Sequence, residues 1–450
     1  MQFMRGGFSS FFNFSFFSRP KVKQTRHSPD FRILTSPAHQ TEAHEVDLAF
    51  AAPSTRPLVR RRANEKLPVA HTHIPIEVVL SILEEAYYTQ QAEPDYALLM
   101  SCALVSRDWS LLAQKLLFRN VIIRSQSDFT AFQHATNRTM PRGRVLGDAV
   151  QRLRLVLDPN HPSSLSQSSF ARAVTLCPNL SELSISLFGK GAPGQDVVGS
   201  PDIERMRRAA PAFDESTLSM LKSGPSVTSL EFTNWSDNAT ALAQLLSVWP
   251  SLKSLTLIGN PPSPPSLTPE PLSCSLEALR MNFQTSPSID FLKWLLRNSS
   301  TSLRTLEFDR EPSPEVLDHV LGEHGSSLHT LSLPTCSSRK GNIAFTRCSN
   351  LHELRIERIR DALGAFKAMP ITLEHVAVGV SPDSSLQPLL QLIKKSGDLR
   401  AVTMHLWNGC DNHPHLASVK IACTVRGIDL RISKDIKEFR ICSRGLPRPL

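Results

Sequence analysis

A six-residue frame, apolar-x-x-apolar-x-apolar, recurs through most of this 450-residue chain. It stands as VQRLRL from Val150, LSELSI from Leu180, VTSLEF from Val227, LKSLTL from Leu252 and LEALRM from Leu276. It continues as LRTLEF from Leu303, LHTLSL from Leu328, LHELRI from Leu351, LEHVAV from Leu373 and LRAVTM from Leu399. From Val227 onward successive frames begin 25, 24, 27, 25, 23, 22 and 26 residues apart. A unit this short cannot bury its own apolar side, so neighbouring units must stack into one continuous core. The alternative, an ordinary α/β domain with evenly spaced strands, has to produce that regularity by accident.

A period of about 20–29 residues carrying this frame is the leucine-rich-repeat pattern, a short strand followed by a helical or irregular return. Helical returns are legible as LAQLLSVWP before Leu252, FLKWLLRNSS before Leu303 and SPEVLDHVLGEHG before Leu328. In the last, Ser313 and Pro314 fit the N-cap and first helical position, and Gly322 or Gly325 the stop. Two irregularities interrupt the series. The gap of 47 residues between Leu180 and Val227 holds an insertion, GKGAPGQDVVGSPDIERMRRAAPAFDES, and PPSPPSLTPEP carries six prolines between 261 and 271. That second segment cannot be helical and is expected to be an extended return.

Side chains alternate along a strand, so the second and third apolar residues of each frame point inward. The residues before and between them are then expected on an exposed, concave sheet: Glu182, Glu231, Thr256, Arg280, Glu307, Glu353, Arg355 and His375. Mixed charges among Ser and Thr fit a protein surface as ligand better than a polyanion; a merely solvated sheet is the plainer alternative. The asparagine of the repeat consensus stands clearly only at Asn260, so no regular asparagine ladder is expected.

Upstream, the period changes to that of helices. In IPIEVVLSILEEAYY the positions Ile76, Val79, Leu80, Leu83, Ala86 and Tyr87 follow helical spacing, with Pro75 at the first position and Glu77 complementing the dipole. In ALLMSCALVSRDWSLLAQKLLFRNV the residues Leu98, Leu99, Cys102, Val105, Trp109, Leu112, Ala113 and Leu116 recur every three to four positions. Ser106 and Asp108 each fit a cap, which leaves one helix or two abutting helices open. Two or three short amphipathic helices make only a marginal core, so this unit is expected to bury its remaining apolar face on a partner.

The stretch from His73 to Ser125 resembles an F-box. Ile74-Pro75-Ile76-Glu77 followed by an apolar run matches the Leu-Pro-x-Glu opening of that family. Leu104-Val105-Ser106-Arg107-Asp108-Trp109 matches its apolar-Val-Ser-Lys/Arg-x-Trp second half, and Leu116 to Val121 its usual exit. Ile74 replaces the usual Leu, and TQQAEPD makes the first connection longer than is typical. The whole chain resembles fungal-type F-box proteins with leucine-rich tails. The resemblance implies a substrate-recognition subunit of a ubiquitin ligase, with a short α-helical F-box docking a Skp-type adaptor and through it a cullin scaffold. The α/β solenoid would then hold an unknown protein substrate. The adaptor-facing residues implied are Ile74, Pro75, Ile76, Val79, Leu80, Leu83, Leu104, Val105 and Trp109. The expected organisation is a disordered basic tail over 1–70, the F-box over 71–125, the solenoid over 145–432 and a C-terminal tail over 433–450.

The remaining features narrow the function classes. Formal charge is +9, and residues 1–72 hold 11 Lys/Arg against 5 Asp/Glu, so two-thirds of the excess sits in the tail. Such a tail is read as solvated disorder; nucleic-acid contact or organellar targeting are the alternatives. Eight cysteines without a CxxC pair are the usage of a reducing compartment, cytoplasm or nucleus. No apolar run is long enough to span a membrane. CDNHPH, with Cys410, His413 and His415, has no second ligand cluster nearby and reads as a loop. No Gly-rich phosphate loop, GxSxG or HExxH occurs, so a non-catalytic binding protein without metal, cofactor or small-molecule substrate is expected. A scaffold without ligase function, or a basic-tail repeat protein bearing an accidental F-box pattern, is the alternative.

Overall fold

The computed structural model describes residues 74–87, 94–190, 208–262, 272–335, 345–359, 366, 369–370, 372–407, 410, 413–436 and 439–440. The chain divides into Met1–Pro75 and Ile76–Leu450, and of the first unit only Ile74 and Pro75 are described. The expected disordered tail, the insertion core and most of the proline-rich return lie outside the described residues.

The second unit opens with three helices, α1 (Ile76–Glu85), α2 (Tyr96–Cys102) and α3 (Arg107–Leu117). The question of one helix or two is settled by Ser106, which breaks the run in extended conformation while its hydroxyl accepts from the Trp109 N–H at 3.3 Å. Asp95 caps α2 in the same way, accepting from Leu98 N at 2.9 Å. Val79, Leu83, Tyr87, Leu99, Cys102, Ala103, Leu112, Ala113 and Leu116 form their shared core, with Leu80 and Trp109 packed at its margin. The Tyr87 hydroxyl accepts from Asn120 Nδ2 at 3.1 Å, tying these helices to the first strand.

That strand, β1 (Asn120–Ile123), is followed by α4 (Gln126–Ala135), α5 (Pro141–Ala149), β2 (Arg152–Leu157), α6 (Gln167–Thr175) and β3 (Glu182–Phe188). Next come α7 (Glu215–Lys222), β4 (Ser229–Trp235), α8 (Ala241–Val248), β5 (Ser254–Gly259) and β6 (Ala278–Phe283). The series runs on through α9 (Ile289–Leu296), β7 (Thr305–Phe308), α10 (Pro314–His324), β8 (Thr330–Thr335), β9 (Glu353–Arg358) and β10 (His375–Val380). It closes with α11 (Gln387–Lys395), β11 (Ala401–Leu406), α12 (Leu416–Arg426) and β12 (Asp429–Ser433). The three helical returns read from sequence are α8, α9 and α10, and Ser313 caps α10 by accepting from Val316 N.

Among the described residues, twelve strands form one parallel sheet in sequence order, β1 to β12. This is the leucine-rich-repeat arrangement, a mixed α/β solenoid. The second apolar position of each frame falls in one row across it: Leu153, Leu183, Leu230, Leu255, Leu279, Leu306, Leu331, Leu354, Val376 and Val402. Every member of that row is buried. Removing such a side chain from water stabilises by about 1.5–3 kcal/mol, an upper figure because the unfolded chain is itself partly collapsed. The sheet begins one strand before the first of these frames, at β1, where Phe118, Val121 and Ile123 repeat the same apolar spacing, and among the described residues it ends at Ser433.

Consecutive repeats are tied at the entry to each strand. From the second frame onward the residue before the frame is Asn179, Ser226, Ser251, Ser275, Ser302, Ser327, Asn350, Thr372 or Asp398, each small and polar; before the first frame it is Ala149. Ser251, Ser302, Ser327 and Thr372 donate to the carbonyls of Val227, Leu276, Leu303 and Leu351 at 2.8–3.0 Å. Each carbonyl is the first apolar residue of the preceding frame. Asn350 and Asn179 reach Ser326 O and Asp148 O at 2.7 and 2.8 Å. A hydroxyl-and-amide ladder therefore does the inter-repeat bonding that an asparagine ladder would otherwise do. Asn260 still bridges repeats, donating to Ser236 O at 2.8 Å. Gly259, beside it, sits at φ +96°, and a Cβ there would lie 2.1 Å from Asn234 O.

Candidate interaction surfaces

Two surfaces stand out, one apolar and one ionic. On the helices, α1 buries one stripe and presents another. Val79 and Leu83 are inside the three-helix core, so a partner cannot reach them without opening it. Ile76, Val78 and Ile82 face outward, and so do Leu98 on α2 and Leu111 on α3. The turn between α2 and α3 exposes 73% of Leu104 and 65% of Val105. Ile74 and Pro75, immediately before α1, are exposed as well. Leu80 and Trp109 are half-buried. Val78, Ile82, Leu98 and Leu111 were not among the adaptor-facing residues that the resemblance implied. The signal for Val78 and Ile82 was present: they form an i, i+4 pair off the buried stripe.

The second surface is the helix-free face of the sheet. By alternation, the residues flanking the buried row carry this face, and register aligns them across strands. At the N-terminal side they are accessible. Glu182 pairs with Arg152 at 2.8 Å, with both side chains nearly half exposed. Glu231 accepts from Ser184 Oγ at 2.9 Å, and Thr256 follows in the same row. Further along, the charges interlock. Arg280 makes a two-nitrogen contact with Asp309, the shortest at 2.7 Å, and lies 3.7 Å from Glu307. Glu307 is in turn 3.4 Å from Arg355, which donates to Ser332 Oγ at 2.7 Å. Glu353 and His375, on adjacent strands, are 3.4 Å apart, and His375 meets Thr403 Oγ1 at 2.9 Å.

Arg355 was expected to be exposed, yet only 2% of it is. The cause is the chain end. Phe439 and Arg440, downstream of β12 in the chain, lie against the helix-free face on β9 to β11. Arg440 forms a fork on Glu357, Nε to Oε1 at 2.7 Å and Nη2 to Oε2 at 2.8 Å, while its carbonyl accepts from Arg355 Nη1 at 3.1 Å. That hydrogen bond to Glu357 raises the Arg440 pKa further above its ordinary value. Phe439 is fully buried, its ring 5.6 Å from that of His405. His405 meets Trp407 edge to face at 4.6 Å, and burial holds the His405 pKa below the usual histidine range, against the pull of the Glu357 carboxylate. Asp309, Glu357 and His405 escaped the sequence reading because they stand at the third outward position, beyond the six-residue frame; Ser332 lies within a frame and was passed over, and Trp407, Phe439 and Arg440 lie past the strands.

Within CDNHPH, Cys410 and His413 are engaged in structural contacts. The Cys410 thiol donates to Val380 O at 3.1 Å, and His413 Nε2 meets Ser384 O at 2.8 Å. All six described cysteines are buried free thiols, and burial pushes Cys177 up to about 12 and Cys348 up to about 11. Among the described residues no helix is long and apolar enough to cross a membrane, and no group of three or more potential metal ligands gathers.

No family model matches this chain, and no curated protein does. Among solved structures it is similar to a chain in the crystal structure of a TLR13–ssRNA13 complex, at 16% identity and a TM-score of 0.31. That match covers 61% of this chain and 35% of the other, so this chain spans about a third of its length. It is also similar to an internalin, inlF, from Listeria monocytogenes, at 14% identity and a TM-score of 0.33, covering 70% of this chain and 92% of that one. The fold assignment rests on the strand order and register described above.

Proposed function

We propose that the chain is a non-catalytic substrate receptor of a Skp-cullin-F-box type ubiquitin ligase, working in cytoplasm or nucleus. The helices α1 to α3 dock a Skp-type adaptor, and the solenoid holds a protein substrate. The observation that carries this reading is the outward apolar set Ile76, Val78, Ile82, Leu98, Leu104, Val105 and Leu111 on so small a helical unit. Leu104 and Val105 are the most exposed of these, and they belong to the same Leu-Val-Ser-Arg-Asp-Trp segment that resembles an F-box. Seven large apolar side chains this exposed on so small a unit mark an association surface rather than a solvated one. Ile74 and Pro75 extend the adaptor-facing segment in sequence. The substrate is assigned to the open part of the sheet around Glu182, Glu231 and Thr256.

The test is co-purification of the full chain with a Skp adaptor, wild type beside a Leu104→Asp, Val105→Asp variant. Both residues are exposed, so the variant should melt within a degree or two of wild type and lose the adaptor. A folded wild type that captures no adaptor overturns the reading. A variant that still captures it moves the interface elsewhere.

A further inference from the structure

The contact between the chain end and the sheet has the features of a ligand in a site. We propose that the helix-free face over β9 to β11 is a docking site for a partner peptide carrying an aromatic residue followed by arginine, with the chain's own Phe439–Arg440 as its resident occupant. This concerns the solenoid alone and holds whether or not the helices bind an adaptor.

The seat is built by the sheet, not by the tail. Trp407 is anchored by its indole N–H, which donates to Glu357 O at 3.0 Å, and by Arg358, whose guanidinium lies 5.0 Å from its ring centroid. His405 rests edge to face on Trp407. Gly379, on the strand between, makes room for the indole: a Cβ there would stand 2.9 Å from Trp407 Nε1. None of these contacts uses the tail, so the aromatic wall keeps its shape when the tail leaves.

The polar half of the seat demands a cation. The Glu357 side chain is only 11% exposed, and the fork on Arg440 is the geometry for which a guanidinium is matched and an ammonium is not. A carboxylate that has lost water and then loses its partner is strongly destabilised. Once opened, the site therefore favours any arginine that can follow an aromatic side chain onto His405. The Arg355 guanidinium beside it offers Nη1 to the incoming backbone carbonyl, as it now does to Arg440 O. Arg440 itself keeps 38% of its side chain exposed, so the occupant is rimmed by solvent and able to leave.

The probe is a labelled peptide of residues 434–441, KDIKEFRI, read by fluorescence anisotropy against the full chain. A tethered tail competes at an effective concentration of order mM. The Phe439→Ala, Arg440→Ala variant should bind the probe at least about tenfold more tightly than wild type for that reason. KDIKEFAI should not bind, and adding Glu357→Gln to the variant should abolish binding of KDIKEFRI. A folded double variant that fails to bind KDIKEFRI, or binds it no better than wild type does, overturns the proposal. Should the double variant not fold, hydrogen exchange on wild type decides. Excess KDIKEFRI, and not KDIKEFAI, should speed amide exchange over residues 434–440; unchanged exchange means the tail is a permanent part of the fold and the proposal is wrong.

Discussion

Replacing Arg355 by alanine tests whether burial or distance governs the ionic face. Two ion pairs invite comparison. Arg152 and Glu182 are the closer pair, at 2.8 Å, but their side chains are 46% and 44% exposed. Arg355 and Glu307 are 3.4 Å apart, with side chains 2% and 9% exposed. By distance alone, the first pair should matter more. Solvent reverses that order: exposed pairs are worth about 0.2–1 kcal/mol, whereas removing one partner of a buried pair costs about 3–5 kcal/mol. Glu307 retains Arg280 at 3.7 Å, which places Arg355→Ala at the lower end, about 3 kcal/mol. Loss of the hydrogen bonds to Ser332 and to the Arg440 carbonyl adds to this and loosens the chain end. The assay is urea unfolding of the full chain by circular dichroism, comparing midpoints at matched slope for wild type, Arg355→Ala and Arg152→Ala. Arg355→Ala should lower the midpoint several-fold more than Arg152→Ala. Arg355→Met combined with Glu307→Met should recover most of the loss, because a buried pair replaced by apolar groups is close to neutral. Equal midpoint shifts for the two single variants refute the reasoning, since the sheet face would then be as well solvated at β9 as at β2.

Gly259→Ala should destabilise by about 1–3 kcal/mol, because the left-handed backbone and the approach of Asn234 O both oppose a Cβ. Gly397→Ala is its control: nothing lies within 4 Å of the added carbon, so the melting temperature should hold or rise slightly. Burial lowers the pKa of both His324 and His405 in the folded chain. The unfolded chain therefore takes up protons first as pH falls below about 6.5. Stability present at pH 7.5 is lost as pH falls through the depressed folded values. The urea midpoint should thus drop between pH 7 and 5, and His324→Gln with His405→Gln should flatten that part of the profile.

The fold was legible in the sequence because repetition multiplies a weak signal. One LxxLxL hexamer says little; ten, at spacings of 22–27 residues over the regular part, fix strand order, handed neighbours and an inward row. The cap at Ser106 and the return at Ser313 were legible for a local reason, since a side-chain oxygen and the orphan amides it serves lie three residues apart. The ladder before each frame was equally visible in the recurring Ser, Thr and Asn, but it does not belong to the consensus and so went unread. What sequence spacing cannot carry is contact between distant segments. Nothing local to Phe439 and Arg440 says that they meet residues 34 and 83 positions earlier, or that Arg355 is buried by them. The split of α1 into a buried and an outward stripe was only half legible, because apolar residues occupy both.

Strands laid down in chain order allow the solenoid to build in the order in which it is synthesised. Glu357, His405 and Trp407 leave the ribosome before the segment that covers them. At about 5–20 residues per second, the stretch from Trp407 to Arg440 takes roughly 2–7 s to be made. For that interval the residues of the proposed seat have been made and its resident occupant has not. A partner peptide present at the site of translation would meet the proposed seat ahead of the tail, and later exchange with the tail sets how long it stays.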